Sequence, residues 1–401
     1  GMGGAFAATA SDPSAIYFNP AGLAFQDGFN VLAGINFIQP YSSYAPEPNL
    51  DMRNYPSTST RPQIFTPFNI YGSYKINDKI AVGLGIYNPF GLGTEWPTQW
   101  GQLVNGGIYA GSFLAVNSSI ATYYFNPTIS YKINDNLAIG VGVSYVYGTV
   151  DMTKTIPWAI FNPALSAAPD GTNELKGTGN GFNANFGIIY KPINKLSLGL
   201  SYRIKTNIDF SGNATYTNVP SALAQGLVNG TGKATLPMPA NFYFGAAYQV
   251  APDLRIEGNF QFVQWTAYKQ LQINMTPVTP LQGTTTYLKA WTDEPILRIG
   301  AEYTINDKWM IRGGAVEDFT PQPQTFTEPM LPDGNRTDLT IGGSYKITDK
   351  LHVDAAYMIV LFAAKISPFE NLNPTDGATM TIPGTYSSNA NVLSVNFGYN
   401  F

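Results

Sequence analysis

The sequence predicts an all-β fold: a transmembrane antiparallel β-barrel of about 14 strands, with a small N-terminal segment folded into its lumen. Three observations carry this expectation. The final nine residues alternate strictly, with Leu393, Val395, Phe397, Tyr399 and Phe401 on one face and Ser394, Asn396, Gly398 and Asn400 on the other, the period of a strand with one apolar side. Similar stretches recur along the chain, and their apolar faces carry almost no charge. A turn motif also returns: Tyr74-Lys-Ile-Asn-Asp-Lys79, Tyr131-Lys-Ile-Asn-Asp-Asn136, Tyr190-Lys-Pro-Ile-Asn-Lys195, Tyr303-Thr-Ile-Asn-Asp-Lys308 and Tyr345-Lys-Ile-Thr-Asp-Lys350, with a looser copy at Tyr248.

Composition agrees with this and excludes other classes. Charged residues make up 12% of the 401 residues, roughly half the usual share of about 25%. Aromatics reach 14%, and there are 40 glycines, as suits interfacial girdles and tightly packed walls. Mean hydropathy is −0.07, because lumen-facing polar residues offset lipid-facing apolar ones. No apolar run approaches the roughly 18–20 residues that a spanning helix needs. A net charge of −4 gives no reason to expect nucleic acid. The absence of cysteine rules out disulfide and thiolate chemistry and suits an exported bacterial protein. The chain starts Gly1-Met2-Gly3 with no basic or apolar leader, which reads as a signal peptide already removed.

The elements follow in order. Each turn motif places Asn, Asp or Pro where the chain must reverse. Each is flanked by segments of about ten residues, the length of a tilted membrane strand. Six such turns join twelve strands; one near 29–38 and the C-terminal strand bring the count to 14. An even count closes an antiparallel barrel with both termini on one side, short turns toward the periplasm and long loops outside. The loops are expected at 40–63, 88–120, 149–180, 206–238, 265–294, 319–336 and 362–390. One face of the strands reads Ile80, Val82, Leu84, Ile86; then Leu137, Ile139, Val141, Val143, Tyr145; then Leu196, Leu198, Leu200, Tyr202, Ile204; then Leu351, Val353, Ala355, Tyr357, Ile359. Lysine or arginine there would cost about 2–4 kcal/mol each at the bilayer midplane. The tyrosines that open the turns form a periplasmic girdle. A secreted solenoid or sandwich does not explain charge-free faces throughout.

Residues 1–28 do not fit the strand rhythm. They are rich in small residues and carry an Asn-Pro turn; composition alone allows a lumen plug or a periplasmic tail. Here the chain resembles the N-terminal hatch of the FadL-type transporters of long-chain fatty acids and aromatic hydrocarbons. The likeness rests on Gly1-Met-Gly-Gly-Ala-Phe6, Asp12-Pro-Ser-Ala15 and Asn19-Pro-Ala-Gly-Leu23, and continues at Tyr87-Asn-Pro-Phe-Gly-Leu-Gly-Thr-Glu-Trp96, the strand count and Phe401. The chain begins inside the hatch motif, so the first hatch residues of that family are absent from this numbering.

The resemblance implies a hatch over residues 1–28, a barrel over 29–401, and a lateral opening at a third-strand kink filled by the hatch. Local chemistry supports a kink at Asn88, Pro89, Phe90 and Gly91, since proline donates no hydrogen bond and glycine permits a bend. Pro127 on the fourth strand adds a second missing donor. By resemblance, Asn19, Pro20 and Ala21 lie near that opening. Two unusually apolar loop stretches, 156–165 and 219–228, are expected to be helical, either exposed as a capture surface or packed on each other as a cap over the barrel. They resemble the paired loop helices of the family's outer groove, with Trp158, Ile160, Phe161, Leu165, Leu223 and Leu227 as ligand contacts.

Alternation places Arg203, Arg255, Glu257, Arg298, Glu302, Arg312, His352 and Asp354 in the lumen. Arg255 with Glu257 and Arg298 with Glu302 are expected to pair. A carboxylate ligand needs an unpaired cation beside an apolar pocket, and Arg298 and Arg312 are the candidates. No catalytic residue, metal site or cofactor is expected. An outer-membrane hydrolase needs Ser and His together on the lipid face, whereas the single histidine, His352, points inward. A general porin needs an open charged channel rather than a plug; a structural or adhesion barrel is the remaining alternative. The expected function is passive uptake of hydrophobic compounds, long-chain fatty acids first and monoaromatic hydrocarbons second. Capture by the loops leads to an inner pocket, hatch rearrangement and lateral exit. Expected partners are that hydrophobic small molecule, outer-membrane lipid and lipopolysaccharide, and the barrel assembly machinery acting on the Phe401 strand. The expected setting is a monomer in the outer membrane of a Gram-negative bacterium, both termini periplasmic.

Overall fold

The computed structural model describes residues 1–46, 57–101, 103–104, 108–160, 162–367 and 382–401. They form a closed antiparallel barrel of fourteen strands. Strands 1 to 7 are Phe29–Pro46, Phe68–Lys75, Ile80–Tyr87 (resuming as Gly91–Glu95), Asn117–Asn134, Leu137–Ile156, Gly171–Ile193, and Leu196–Arg203 with Thr206–Thr217. Strands 8 to 10 are each in two pieces: Gly230–Met238 and Asn241–Ala251, Leu254–Val263 and Gln270–Thr279, Gln282–Leu288 and Glu294–Thr304. Strands 11 to 14 are Trp309–Asp318, Arg336–Lys346, Leu351–Phe362 and Gly384–Asn400. Strands 1 and 14 close the ring, paired from Asn30 with Asn400 to Pro46 with Gly384. Closure removes the free edges of the sheet, and the ladder between neighbours lapses locally where registers change.

The repeated motif builds its turns by side-chain capping. Asn77 Oδ1 accepts from the backbone N–H of Lys79 and of Ile80, both at 2.9 Å. Asn306 serves Lys308 and Trp309 at 2.9 and 3.0 Å, and Thr348 Oγ1 serves Lys350 and Leu351 at 3.3 and 3.0 Å. Short polar side chains that satisfy turn N–H groups reverse the chain with no unpaired donor. Outside, Leu84, Ile139, Val143, Leu200, Phe244, Ile299, Ile341 and Phe397 are exposed, as alternation requires of a lipid face.

The expected loops are shorter than read from the sequence. Strand 5 continues to Ile156, and strand 6 begins at Gly171. The stretches 206–217 and 230–238 pair as strand, as do 270–279 and 282–288. Asn, Ser, Thr and Gly there gave a loop-like composition. In water above an apolar band, a two-sided polar strand needs only its ladder and neighbours, so the sheet runs on.

The segment before strand 1 lies inside the barrel. It makes one helical turn, Ala15–Phe18, and a 3-10 turn, Pro20–Phe25. Ala5, Ala7, Ala8, Ala10, Ala15, Ile16, Ala21 and Leu23 are fully buried. Small residues here meet glycines on the wall. A Cβ on Gly199 would stand 2.1 Å from the Ala7 carbonyl oxygen, and one on Gly140 would stand 2.4 Å from the Pro20 carbonyl carbon.

Candidate functional site

The lumen segment is held by strand 9. Glu257, fully buried, accepts from the N–H of Ala8 at 2.8 Å and of Thr9 at 3.2 Å, and from the Thr9 hydroxyl. Asn259 Oδ1 accepts from Phe6 N–H and Ala7 N–H, each at 3.0 Å. One carboxylate and one amide therefore satisfy four consecutive backbone donors that no regular structure satisfies. On the other side, Arg203 donates to the Tyr17 carbonyl at 3.1 Å and to Asn183 Oδ1 at 3.0 Å, with its guanidinium against the rings of Tyr17, Tyr87 and Tyr124.

Above this segment lies an apolar cavity that opens to solvent at its mouth, about 880 Å³ when that open space is counted. Val150, Phe210 and Leu236 form its floor and also join the buried cluster that contains the lumen segment. Met152, Leu175, Leu271 and Ile273 line its sides. Met330 and Leu331 cover it beneath an aromatic cap in which Trp96 stacks on Trp100 at 4.1 Å. One ion pair enters this apolar surface: Lys289, its side chain 2% exposed, contacts Glu328, with the rings of Tyr268 and Tyr287 each 5.8 Å from the ammonium.

The third strand breaks where the sequence breaks it. It pairs with strand 4 in one register from Ile80 with Tyr131 to Tyr87 with Tyr124, and resumes one residue out of step at Gly91 with Ala121. Asn88 spans the break, its Oδ1 accepting from Phe68 N–H at 3.0 Å and its Nδ2 donating to the Thr122 carbonyl at 2.9 Å. Beyond Phe68, strand 2 no longer pairs with strand 3. The Phe65 ring occupies this space: a Cβ on Gly93 would fall 1.8 Å from it, whereas one on Gly91 meets only the Ile120 carbonyl, at 3.6 Å. Phe90 packs toward Tyr124 and the lumen cluster.

Several expected site residues lie elsewhere. Asn19, Pro20 and Ala21 do not face the third-strand break. Asn19 donates to the Ile188 carbonyl at 3.0 Å, Ser130 donates to the Ala21 carbonyl at 3.1 Å, and Pro20 abuts Gly140. The residue beside the break is Tyr17, its ring 5.3 Å from Tyr87. The Asn-Pro pair serves instead as a cap, Asn19 Oδ1 accepting from Ala21 N–H at 3.2 Å.

The expected charge pairs also change. Arg255 pairs with Glu302, not Glu257, and Glu302 is shared with Arg312, each at 2.7 Å. Arg298 does not pair with Glu302; it donates to the Gly3 carbonyl at 2.8 Å and to Gln261 at 3.1 Å. Arg312 also contacts Asp354 at 3.1 Å. Neither Arg298 nor Arg312 lines the apolar cavity; of the three lysines that do, Lys176 and Lys233 are exposed and Lys289 is buried. Its signal in the sequence was a lysine between Tyr287 and Trp291 inside a stretch read as ordinary loop.

The apolar loops form two 3-10 turns, Trp158–Ile160 and Pro163–Leu165, and an irregular turn region rather than helices. They pack on each other. Trp158 (1% exposed) and Leu227 are buried together, with Leu165 and Leu223 against them. Phe161 lies outside the described residues. Burial there pushes the Asp170 carboxyl above its ordinary value.

A barrel girdled by apolar side chains, with a filled core and an apolar cavity above it, defines a membrane transport barrel for hydrophobic molecules. Over residues 1–401 the chain matches the family described as outer membrane protein transport protein (OMPP1/FadL/TodX), and it belongs to that family. It is 26% identical over 383 residues, 88% of this chain and 83% of the other, to a long-chain fatty acid transport protein of Salmonella typhi. It is 25% identical over 425 residues, 100% of this chain and 92% of the other, to the 47 kDa outer membrane protein of Pasteurella multocida. Its fold is similar to that of a Pseudomonas aeruginosa FadL homologue (TM-score 0.82, 20% identity, covering 100% and 96% of the two chains). It is also similar to that of the P. putida toluene transporter TodX (0.80, 18%, 100% and 97%). The protein is thus a FadL-type outer-membrane transporter of hydrophobic compounds, not an enzyme.

Proposed function

We propose that the protein takes up long-chain fatty acids, with the acyl chain in the apolar cavity and the carboxylate at Lys289. The observation that carries this reading is the Lys289–Glu328 pair, which is buried at the cavity, whereas the other lining lysines, Lys176 and Lys233, are exposed. A hydrocarbon needs no charge in its site. A carboxylate needs a cation at one end of a greasy slot, and an incoming carboxylate can take the place of Glu328. From the cavity, rearrangement of residues 1–28 (the hatch) releases ligand toward the third-strand break at Asn88–Gly91, where it leaves sideways into the bilayer. Flux is diffusive. Short turns and both termini face the periplasm, the chain acts as a monomer, and its Phe401 strand is the signal read by the barrel assembly machinery. Toluene-class ligands are the second reading, favoured by the wholly apolar floor of Val150, Phe210 and Leu236.

The test removes both charges together, because stripping one partner of a buried pair costs about 3–5 kcal/mol. In the double variant Lys289→Met, Glu328→Gln, oleate binding measured calorimetrically in detergent weakens by about tenfold or more, while toluene binding holds. Unchanged oleate affinity, or equal loss of both ligands, overturns the carboxylate assignment.

A further inference from the structure

The barrel wall has a second interruption, between strands 8 and 9, far from the third strand in the ring. Below it, pairing runs from Ala251 with Leu254 up to Asn241 with Val263, and the Gln264 N–H donates to the Ala240 carbonyl at 2.9 Å. Above it, pairing resumes at Ala234 with Ile273 and continues to Thr231 with Thr276. Between these rungs no ladder joins residues 235–239 to residues 265–272. Strand 9 carries three more residues than strand 8 across the interval, so the register cannot continue, and the 3-10 turn Trp265–Ala267 takes up part of the excess.

The two neighbouring seams stay closed. Strand 8 pairs with strand 7 without change of register, from Tyr248 with Leu196 to Gly230 with Ala214. On the other side, Lys289 N–H and Ala290 N–H both donate to the Lys269 carbonyl, at 2.8 and 3.0 Å, and Asp293 accepts from Thr266 N–H at 2.7 Å. The 265–272 stretch is therefore fastened along strand 10 and carries no ladder along strand 8.

Its two sides face different surroundings. Tyr268 and Leu271, with Leu236 across the gap, line the apolar cavity. Gln264, Thr266, Ala267, Lys269 and Gln270, with Lys205 and Ala240, line a depression open to the exterior. Adjacent residues of this stretch, Tyr268 and Lys269, line the one and the other. The depression sits at the upper edge of the apolar band: exposed Tyr202, Phe242, Phe244 and Phe260 lie below it, and exposed Asn207, Asp209 and Lys233 lie above. That is the depth at which an amphiphile in the outer leaflet carries its head group, and both cations of the depression, Lys205 and Lys269, are exposed there.

We propose that this gap is a side entrance for a single-chain carboxylate amphiphile already dissolved in the outer leaflet. The head group rests on Lys205 and Lys269 while the tail passes between Leu236 and Leu271 into the cavity. The carboxylate then moves to Lys289, whose backbone N–H is bonded to the Lys269 carbonyl. This inference rests on the cavity being a fatty acid site, and the test separates the two. The full-length protein is reconstituted in phospholipid bilayers that contain a fatty acid with a photoreactive terminal carbon, and adducts are mapped by mass spectrometry. Adducts on residues 264–271 are expected, and Lys205→Glu with Lys269→Glu should lower them by about tenfold relative to adducts on the cavity floor. If wild-type protein binds oleate in detergent yet the membrane-borne probe leaves 264–271 unlabelled, the entrance is overturned and the cavity assignment stands. Labelling of 264–271 unaffected by the two glutamates overturns the head-group role of the lysines. Failure of the wild type to bind oleate at all removes both.

Discussion

At the scale of single residues, two side chains do much to keep the lumen filled. Glu257 and Asn259 between them accept from four successive backbone N–H groups, Phe6 to Thr9. Each buried donor left without a partner costs about 1–3 kcal/mol. Asn259→Ala should therefore loosen residues 3–10, read as faster amide exchange confined to that segment, with the thermal transition of the barrel unmoved. Exchange that stayed slow would mean that packing of the small residues against wall glycines such as Gly199, rather than these bonds, holds the segment. Neither acceptor was legible as such: alternation places Glu257 in the lumen, but its neighbours come from 248 and 249 residues away along the chain.

At the scale of elements, the third strand shows what local chemistry dictates. Pro89 and Gly91 predict a break, and the register slips by one residue there. What fills the break was not predictable, because Phe65 belongs to a segment with no strand period of its own. The space beside Gly91 is open, whereas that at Gly93 is occupied by the Phe65 ring. Gly91→Trp is therefore accommodated without disturbing the wall. If ligand leaves here, uptake of labelled oleate by cells carrying Gly91→Trp falls by about tenfold at equal surface expression, while oleate binding in detergent is retained. Unchanged uptake would direct attention to another exit. The apolar loops teach the reverse lesson. Their residues read either as an exposed capture surface or as a mutually packed cap, and Trp158 and Leu227 are buried against each other, because two greasy loops that meet hide their own surface first.

At the scale of the whole molecule, stability is inseparable from the bilayer. The outward faces of all fourteen strands carry exposed apolar side chains with Ile341, at 67%, among the most open. Ile341→Arg should cost about 2–4 kcal/mol of folding free energy in lipid vesicles if the residue lies near the midplane, measured by denaturant titration in large unilamellar vesicles. A cost near zero would place strand 12 at an interface or turned away from lipid.

Alternation, charge-free faces and a recurring turn motif by themselves determined the barrel, its strand count and its inside from its outside. Those features depend only on neighbours one, two or three positions apart, and the bilayer enforces them locally at every strand. Tertiary structure alone decided which strands lose pairing at mid-height, that Lys289 rather than Arg298 or Arg312 reaches the apolar cavity, and which wall residues grip Phe6 to Thr9. Such contacts arise when the ring closes and brings together residues hundreds of positions apart, and no short-range period in the chain encodes who meets whom across a lumen.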